Sequence, residues 1–251
     1  MVDRVAAALS LNDRVRPVSL ANERVLEVSG PLASVLPGGA LQRGITVGVG
    51  GAATSLALAL AASVAGGDSW VAAVGMGTLG LAAAEESGLA MERLLLVDPV
   101  PAGQWAAVVA ALVEAVEVVL VAPPASAVPA GQARRVAARM REQGAVLVQV
   151  AWPERAWPQR PELSLQARPL AWSGIGAGHG HLRARQVEIA VSGRHGADRP
   201  RSARFWLPDE HGRLAPVEPE AAVTSLHPQA SRARPSSSGG RAMACPTPSP
   251  A

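Results

Sequence analysis

Five short apolar runs recur along the first 150 residues: Ile45–Val49, Trp70–Val74, Leu94–Val97, Val118–Val121 and Val146–Val150. Each is unbroken rather than alternating, the pattern of parallel strands covered on both faces. Between them lie Ala-rich segments of helical length, Ala52–Ala65, Leu79–Gly88, Gly103–Ala115 and Ala130–Gln143. Gly66-Gly67, Gly88 and Gly144 punctuate their C-terminal ends. A strand and a helix in every ~25 residues predict a doubly wound α/β fold, its sheet mainly parallel with helices on both faces.

After residue 150 the pattern changes. Trp152-Pro153 and Trp157-Pro158 cannot continue a helix. "RPELSLQARPLAW" reads as a short strand followed by a bend. "HLRARQVEIAVSGRHGADRPRSARFWL" reads as two strands about a loop near Ser192–Pro200. Leu182, Ala184, Gln186, Glu188 and Ala190 there alternate with Arg183, Arg185, Val187, Ile189 and Val191, an imperfect period of two that predicts an antiparallel extension of the sheet. From Pro216 the chain turns to Pro, Ser, Ala and Arg, a composition that favours disorder. The predicted organisation is an N-terminal helix and linker over 1–24, a core over 25–213 and a Pro/Ser/Arg-rich tail over 214–251.

Composition sharpens this in three ways. With 251 residues, 49% hydrophobic and 17% charged, the chain has the make-up of one globular domain with tails. Aromatic residues are only 3%, with no Tyr, so Ala, Val and Leu must build the core. All 23 basic residues are arginine, and a net charge of +3 hides an asymmetry. Residues 1–100 sum to −3 and residues 151–251 to +5, so the C-terminal part suits nucleic acid or an acidic protein partner. The single cysteine, Cys245, excludes an intrachain disulfide and a Cys-based metal site, which points to a reducing cytoplasm with nucleoid association open. "MVDRVAAALSLNDR" is a poor signal peptide, its apolar run flanked by Asp3 and Asp13. Twenty-four uncharged residues separate Arg43 from Asp68, enough for a membrane span of ~20. Six of them are glycine, and a buried strand, glycine turn and buried helix account for that composition better.

The turn in that stretch carries the candidate chemistry. "GVGGAATS", residues 48 to 55, follows the outline of a phosphate-binding loop, G-x-x-x-x-G-K-[ST]. Such a loop cradles phosphate with backbone N–H groups at a helix N-terminus, neutralises it with lysine and ligates Mg²⁺ through the hydroxyl. Gly48, Gly50 and Gly51 are present and Ser55 supplies the hydroxyl, but Ala53 replaces the second motif glycine and Thr54 the lysine.

Order and spacing extend the likeness. "LPGGALQRGITVGVGGAATSLALALAA" resembles the entry into the RecA ATPase core. "LLLVDPVPAGQWAAVVAALVEAVEVVLVAPP" is similar to the RecA segment that runs to the Walker B strand. The resemblance covers roughly residues 25–213 and implies a RecA-like fold. Carried over residue by residue, the machinery fails three times. Thr54 stands at the lysine position. The strand "WVAAVG" runs into Val74, Gly75 and Met76 where RecA has its water-activating glutamate, and "VVLVAPP" offers Ala122 and Pro123 where a metal-binding aspartate is needed. Loss of all three removes the electrostatic means of phosphoryl transfer, so no catalytic residue is assigned.

Among RecA-like proteins, "GAATSLALALA", "LGLAAA", "GHGHLRAR" and "FWLP" resemble the actinobacterial ImuA-prime-type accessory factors of the mutasome. The resemblance implies a non-catalytic, protein-interaction role in damage-induced mutagenesis and translesion synthesis, without a cofactor. The partners it implies are an inactive Y-family polymerase homologue (ImuB-type) and an error-prone C-family DNA polymerase. A second reading is a nucleotide-dependent RecA-like recombinase or regulator that binds ATP weakly without lysine.

Other residues carry weaker signals. Arg183, Arg185, Arg194, Arg199, Arg201 and Arg204 can line a surface for DNA phosphate or an acidic partner, or belong to a solvated hairpin. His179 and His181 form an H-x-H pair without a third ligand nearby, so no metal site is predicted. Trp152 and Trp157 suit either partner anchoring or packing at the sheet edge. Arg134, Arg135, Arg139 and Arg141 read as the polar face of the last helix.

Overall fold

The computed structural model describes residues 25–65, 69–101, 103–124, 126–151, 158–176, 179–194 and 197–217. The predicted N-terminal helix over 1–24, the tail from 218 onward and Trp152 and Trp157 lie outside these residues.

A two-stranded ribbon, β1 (Val25–Glu27) with β2 (Ala40–Gln42), precedes the main sheet. Then come β3 (Thr46–Gly51), α1 (Ala53–Ala65), β4 (Val71–Val74), α2 (Leu81–Glu86), β5 (Leu94–Val97), α3 (Trp105–Ala115), β6 (Val118–Val121), α4 (Ala130–Gln143) and β7 (Val146–Val150). The C-terminal part adds β8 (Leu163–Trp172), β9 (Ile175–Gly176), β10 (His179–Gly180), β11 (Arg185–Gly193), β12 (Arg201–Trp206) and β13 (Ala215–Pro216). Nine strands form one sheet in the order β13-β12-β11-β8-β3-β7-β6-β4-β5. From β8 to β5 neighbours are parallel, and β11, β12 and β13 are antiparallel additions.

The unbroken apolar runs are explained by two cores, one on each face. Val71 and Ala73, Val118 and Leu120, and Val146, Val148 and Val150 pack with Leu56, Leu60 and Val64 of α1 and Ala84 of α2. The residues between them, Ala72, Val74, Val119, Val121 and Leu147, pack with Trp105, Val109 and Val113 of α3 and Val136 and Met140 of α4. Alternation on the pleat then gives no solvated face, and Gln149 of β7 is buried with the rest. Gly144, at φ 70°, ends α4 in the left-handed conformation that its sequence position announces.

Beyond β8 one face loses its cover. Leu163, Leu165, Val187, Ile189, Val191 and Phe205 join the α1 side, whereas Arg168, Ser202 and Arg204 on the other side are exposed. Arg168 pairs with Glu188 at 2.7 Å, and Arg204 lies opposite Glu188 on the next strand. No helix among the described residues is long and apolar enough to cross a membrane.

Three departures from expectation extend the sheet. Strand β3 runs on through Gly51 instead of ending at Val49. Strand β8 is ten residues long instead of a short strand and a bend, because a bulge opposite Gln186/Val187 accommodates Pro169 within it. Strand β13 pairs with β12 and carries the sheet past residue 213, the predicted end of the core.

Glu162 fastens the central strands. Its carboxylate accepts a hydrogen bond from Thr46 N at 2.6 Å, its own N–H donates to Thr46 O at 2.9 Å, and its carbonyl accepts from Arg194 N. Replacing Glu162 with Ala orphans a buried backbone donor, and we expect a loss of about 1.5 kcal/mol. Glu162→Gln, with an amide oxygen still in reach, should recover most of it. Denaturant unfolding of both variants checks this, and equal losses would refute the hydrogen-bond account.

Candidate functional site at the start of helix α1

The candidate phosphate loop is built as strand. Gly48 and Val49 pair with Gln149 and Val150 of β7 on one side and with Ser164 and Leu165 of β8 on the other. Gly50 and Gly51 go on pairing with Gln166 and Ala167. Backbone groups of Gly48 and Val49 are thus laid into ladders on both sides, and those of Gly50 and Gly51 on the β8 side. Only Ala52 separates the last strand residue from Ala53, the first of α1, and Leu56 N already donates to Ala52 O. Gly51 has its own reason to be glycine. It sits at φ 73°, and a Cβ there would run into the carbonyl of Ala167.

On the first turn of α1, Thr54 is exposed, Ala53 packs against the core and Ser55 is half-buried. The cation beside them comes from β11. Arg185 donates from Nη2 to Ser55 Oγ at 3.4 Å and from Nε to Leu207 O at 2.8 Å. Its guanidinium carbon lies 5.3 Å from the Trp172 ring centroid. Its backbone bonds both ways to the next segment, N to Pro208 O and O from Leu207 N. Burial lowers the Arg185 pKa from its ordinary value, and the group stays protonated at physiological pH.

The other strand ends carry no charge at the positions the RecA likeness marks. Gly75 N donates to Val97 O, and Ala122 N donates to Val74 O, so both segments serve the sheet. Asp98 is a carboxylate the sequence reading passed over. It follows β5 directly and packs against Gly77, where a Cβ would strike its carboxylate. An acid at the end of an apolar run was the signal. Four strand spacings separate β5 from β3, about 19 Å, so Asp98 is no partner for Ser55.

The six arginines fall into separate places. Arg183 and Arg185 lie at the carboxyl end of β3, because Arg185 pairs with Trp172. Arg194, Arg199 and Arg201 lie at the opposite end, where Gly193 pairs with Leu163 and Arg201 with Val191. Arg204 is midway, on the uncovered face. His179 is exposed on β10 and His181 is exposed just beyond it. Among the described residues no cluster of three or more His, Cys, Asp or Glu could hold a metal ion. On α4, Arg139 pairs with Glu114 of α3 at 2.6 Å.

Residues 34–159 match the family model of the MT3502 N-terminal domain. The uncharacterized protein Rv3395c of Mycobacterium tuberculosis is 33% identical over 135 residues, which make up 53% of this chain. That match spans 65% of the relative's own length.

Proposed function

This chain belongs to the MT3502 N-terminal domain family, and we propose that it is a non-catalytic, RecA-like accessory protein of DNA repair. It serves damage-induced mutagenesis and translesion synthesis in the cytoplasm as a protein-interaction scaffold, with an inactive Y-family polymerase homologue and an error-prone C-family polymerase as partners. The observation that carries this reading is the ladder pairing of Gly48–Gly51, which leaves a one-residue turn where phosphoryl transfer needs a charged cradle. Neutral residues at Thr54, Val74–Met76 and Ala122–Pro123 agree with it. A central glycine strand among parallel neighbours, followed by antiparallel strands, supports the RecA-like part. The mycobacterial relative fits the actinobacterial part.

One observation favours the nucleotide-binding alternative: Arg185 places a guanidinium beside Ser55 at the start of α1. Titration with a fluorescent ATP analogue separates the two. The scaffold reading expects no saturable binding at micromolar concentrations, and no ATP hydrolysis above background with or without single-stranded DNA. Saturable binding or turnover that Ser55→Ala abolishes would replace it with the nucleotide-dependent reading.

A further inference from the structure

Six large apolar side chains are exposed among the described residues, and three of them, Trp172, Ile175 and Leu182, fall within eleven residues of sequence. They are 48%, 58% and 52% exposed, respectively. Scattered apolar residues are ordinary on a surface, but three brought together by one hairpin are not. The hairpin gathers them in steps. Trp172 pairs with Arg185, Ser173 exchanges bonds with Arg183 and Ala184, and Ile175 pairs with Gly180. Leu182 therefore lies across from Gly174, whose missing side chain lets the strands close, since a Cβ there would strike the backbone of His181.

Formal charge on the two strands of this patch has one sign. From Pro169 to Val187 there is no acidic residue, while Arg183, Arg185, His179 and His181 lie within it. The adjoining segment brings Asp209, whose carboxylate accepts the N–H groups of His211 and Arg213 and closes its own turn, together with the exposed Glu210 and Arg213. Arg185 stacks on Trp172 and so holds the largest apolar group in place.

We propose that this hairpin end is a docking surface for an acidic, leucine-bearing segment of a partner protein. Trp172, Ile175 and Leu182 take the apolar side chains, and the exposed Arg183 faces the carboxylates. Aliphatic side chains at Ile175 and Leu182 offer nothing to a phosphodiester, which favours a peptide over nucleic acid. The assignment rests on the scaffold reading for its biological partner, but not for its chemistry.

The test uses the full chain and a fluorescein-labelled, 16-residue amphipathic peptide with Leu on one face and Glu on the other. We expect saturable micromolar binding that weakens as salt rises and falls at least tenfold in Ile175→Asp/Leu182→Asp, which leaves the Trp172–Arg185 stack intact. Lys in place of Glu in the peptide should weaken binding as much. Failure of the wild-type chain to bind the acidic peptide, or equal binding by the variant, overturns the surface. So does tighter binding of a 20-residue oligothymidylate that is lost in the same variant, because the site would then belong to nucleic acid. Titration of the inactive polymerase homologue against the wild-type chain tests the scaffold reading separately. If the peptide result holds and the homologue does not bind, the surface stands and that choice of partner falls.

Discussion

Gly51→Ala should lower stability by about 3–4 kcal/mol, because a left-handed backbone and a main-chain collision combine at one position. Gly51 sits at φ 73°, which strains any residue with a Cβ. The atom it would strike is the carbonyl oxygen of Ala167, held in register by β8, so no side-chain rotation relieves the clash. Relief requires the end of β3 to part from β8, and α1 begins two residues later. Gly103→Ala is the matched control. Its φ is 76°, but a Cβ there has nothing within 4 Å, so the strain alone of about 1–2 kcal/mol should appear. Denaturant midpoints of the two variants decide the matter. Equal losses would remove the collision argument. A loop kept for phosphate would instead leave Gly51→Ala folded and impaired in nucleotide binding.

That glycine marks the line between what the sequence made legible and what it did not. Strands β5, β6 and β7 and helix α4 fall where the apolar runs and glycine stops place them, because each signal is local, and β6 and β7 are buried on both faces. Glycine-rich sequence reads as loop because glycine is a poor strand former. Gly50 and Gly51 are strand nonetheless, because β8 alone carries the pairing past Val49, through Gln166 and Ala167. No local pattern contains that information. Pro169 misled in the same way, since the bulge that admits it depends on β11. The candidate site was half legible. The three neutral positions could be read directly, but the partner that Arg185 would choose could not. Six arginines looked alike in sequence, and only the antiparallel register sends three of them to one end of the sheet and two to the other.

Arg185→Ala should cost about 2–3 kcal/mol, against little change for Arg183→Ala or Arg204→Ala, both exposed. Arg185 joins three elements at once: Ser55 on α1, the Leu207 carbonyl after β12, and the Trp172 ring at the end of β8. Its truncation leaves that carbonyl without its guanidinium donor and frees the indole. Arg185→Lys should restore only a small part, because an ammonium cannot reach the carbonyl and lie on the ring at the same time. All of these acceptors are uncharged, so the loss should change little between low and high salt. The Arg168–Glu188 pair, exposed and ionic, should behave oppositely. A phosphate contact makes a different set of demands. If Arg185 were kept for nucleic acid, Arg185→Ala would leave the unfolding midpoint unchanged while weakening oligonucleotide binding and flattening its salt dependence. That outcome would move Arg185 from the frame of the domain to its surface, and with it the support beneath Trp172.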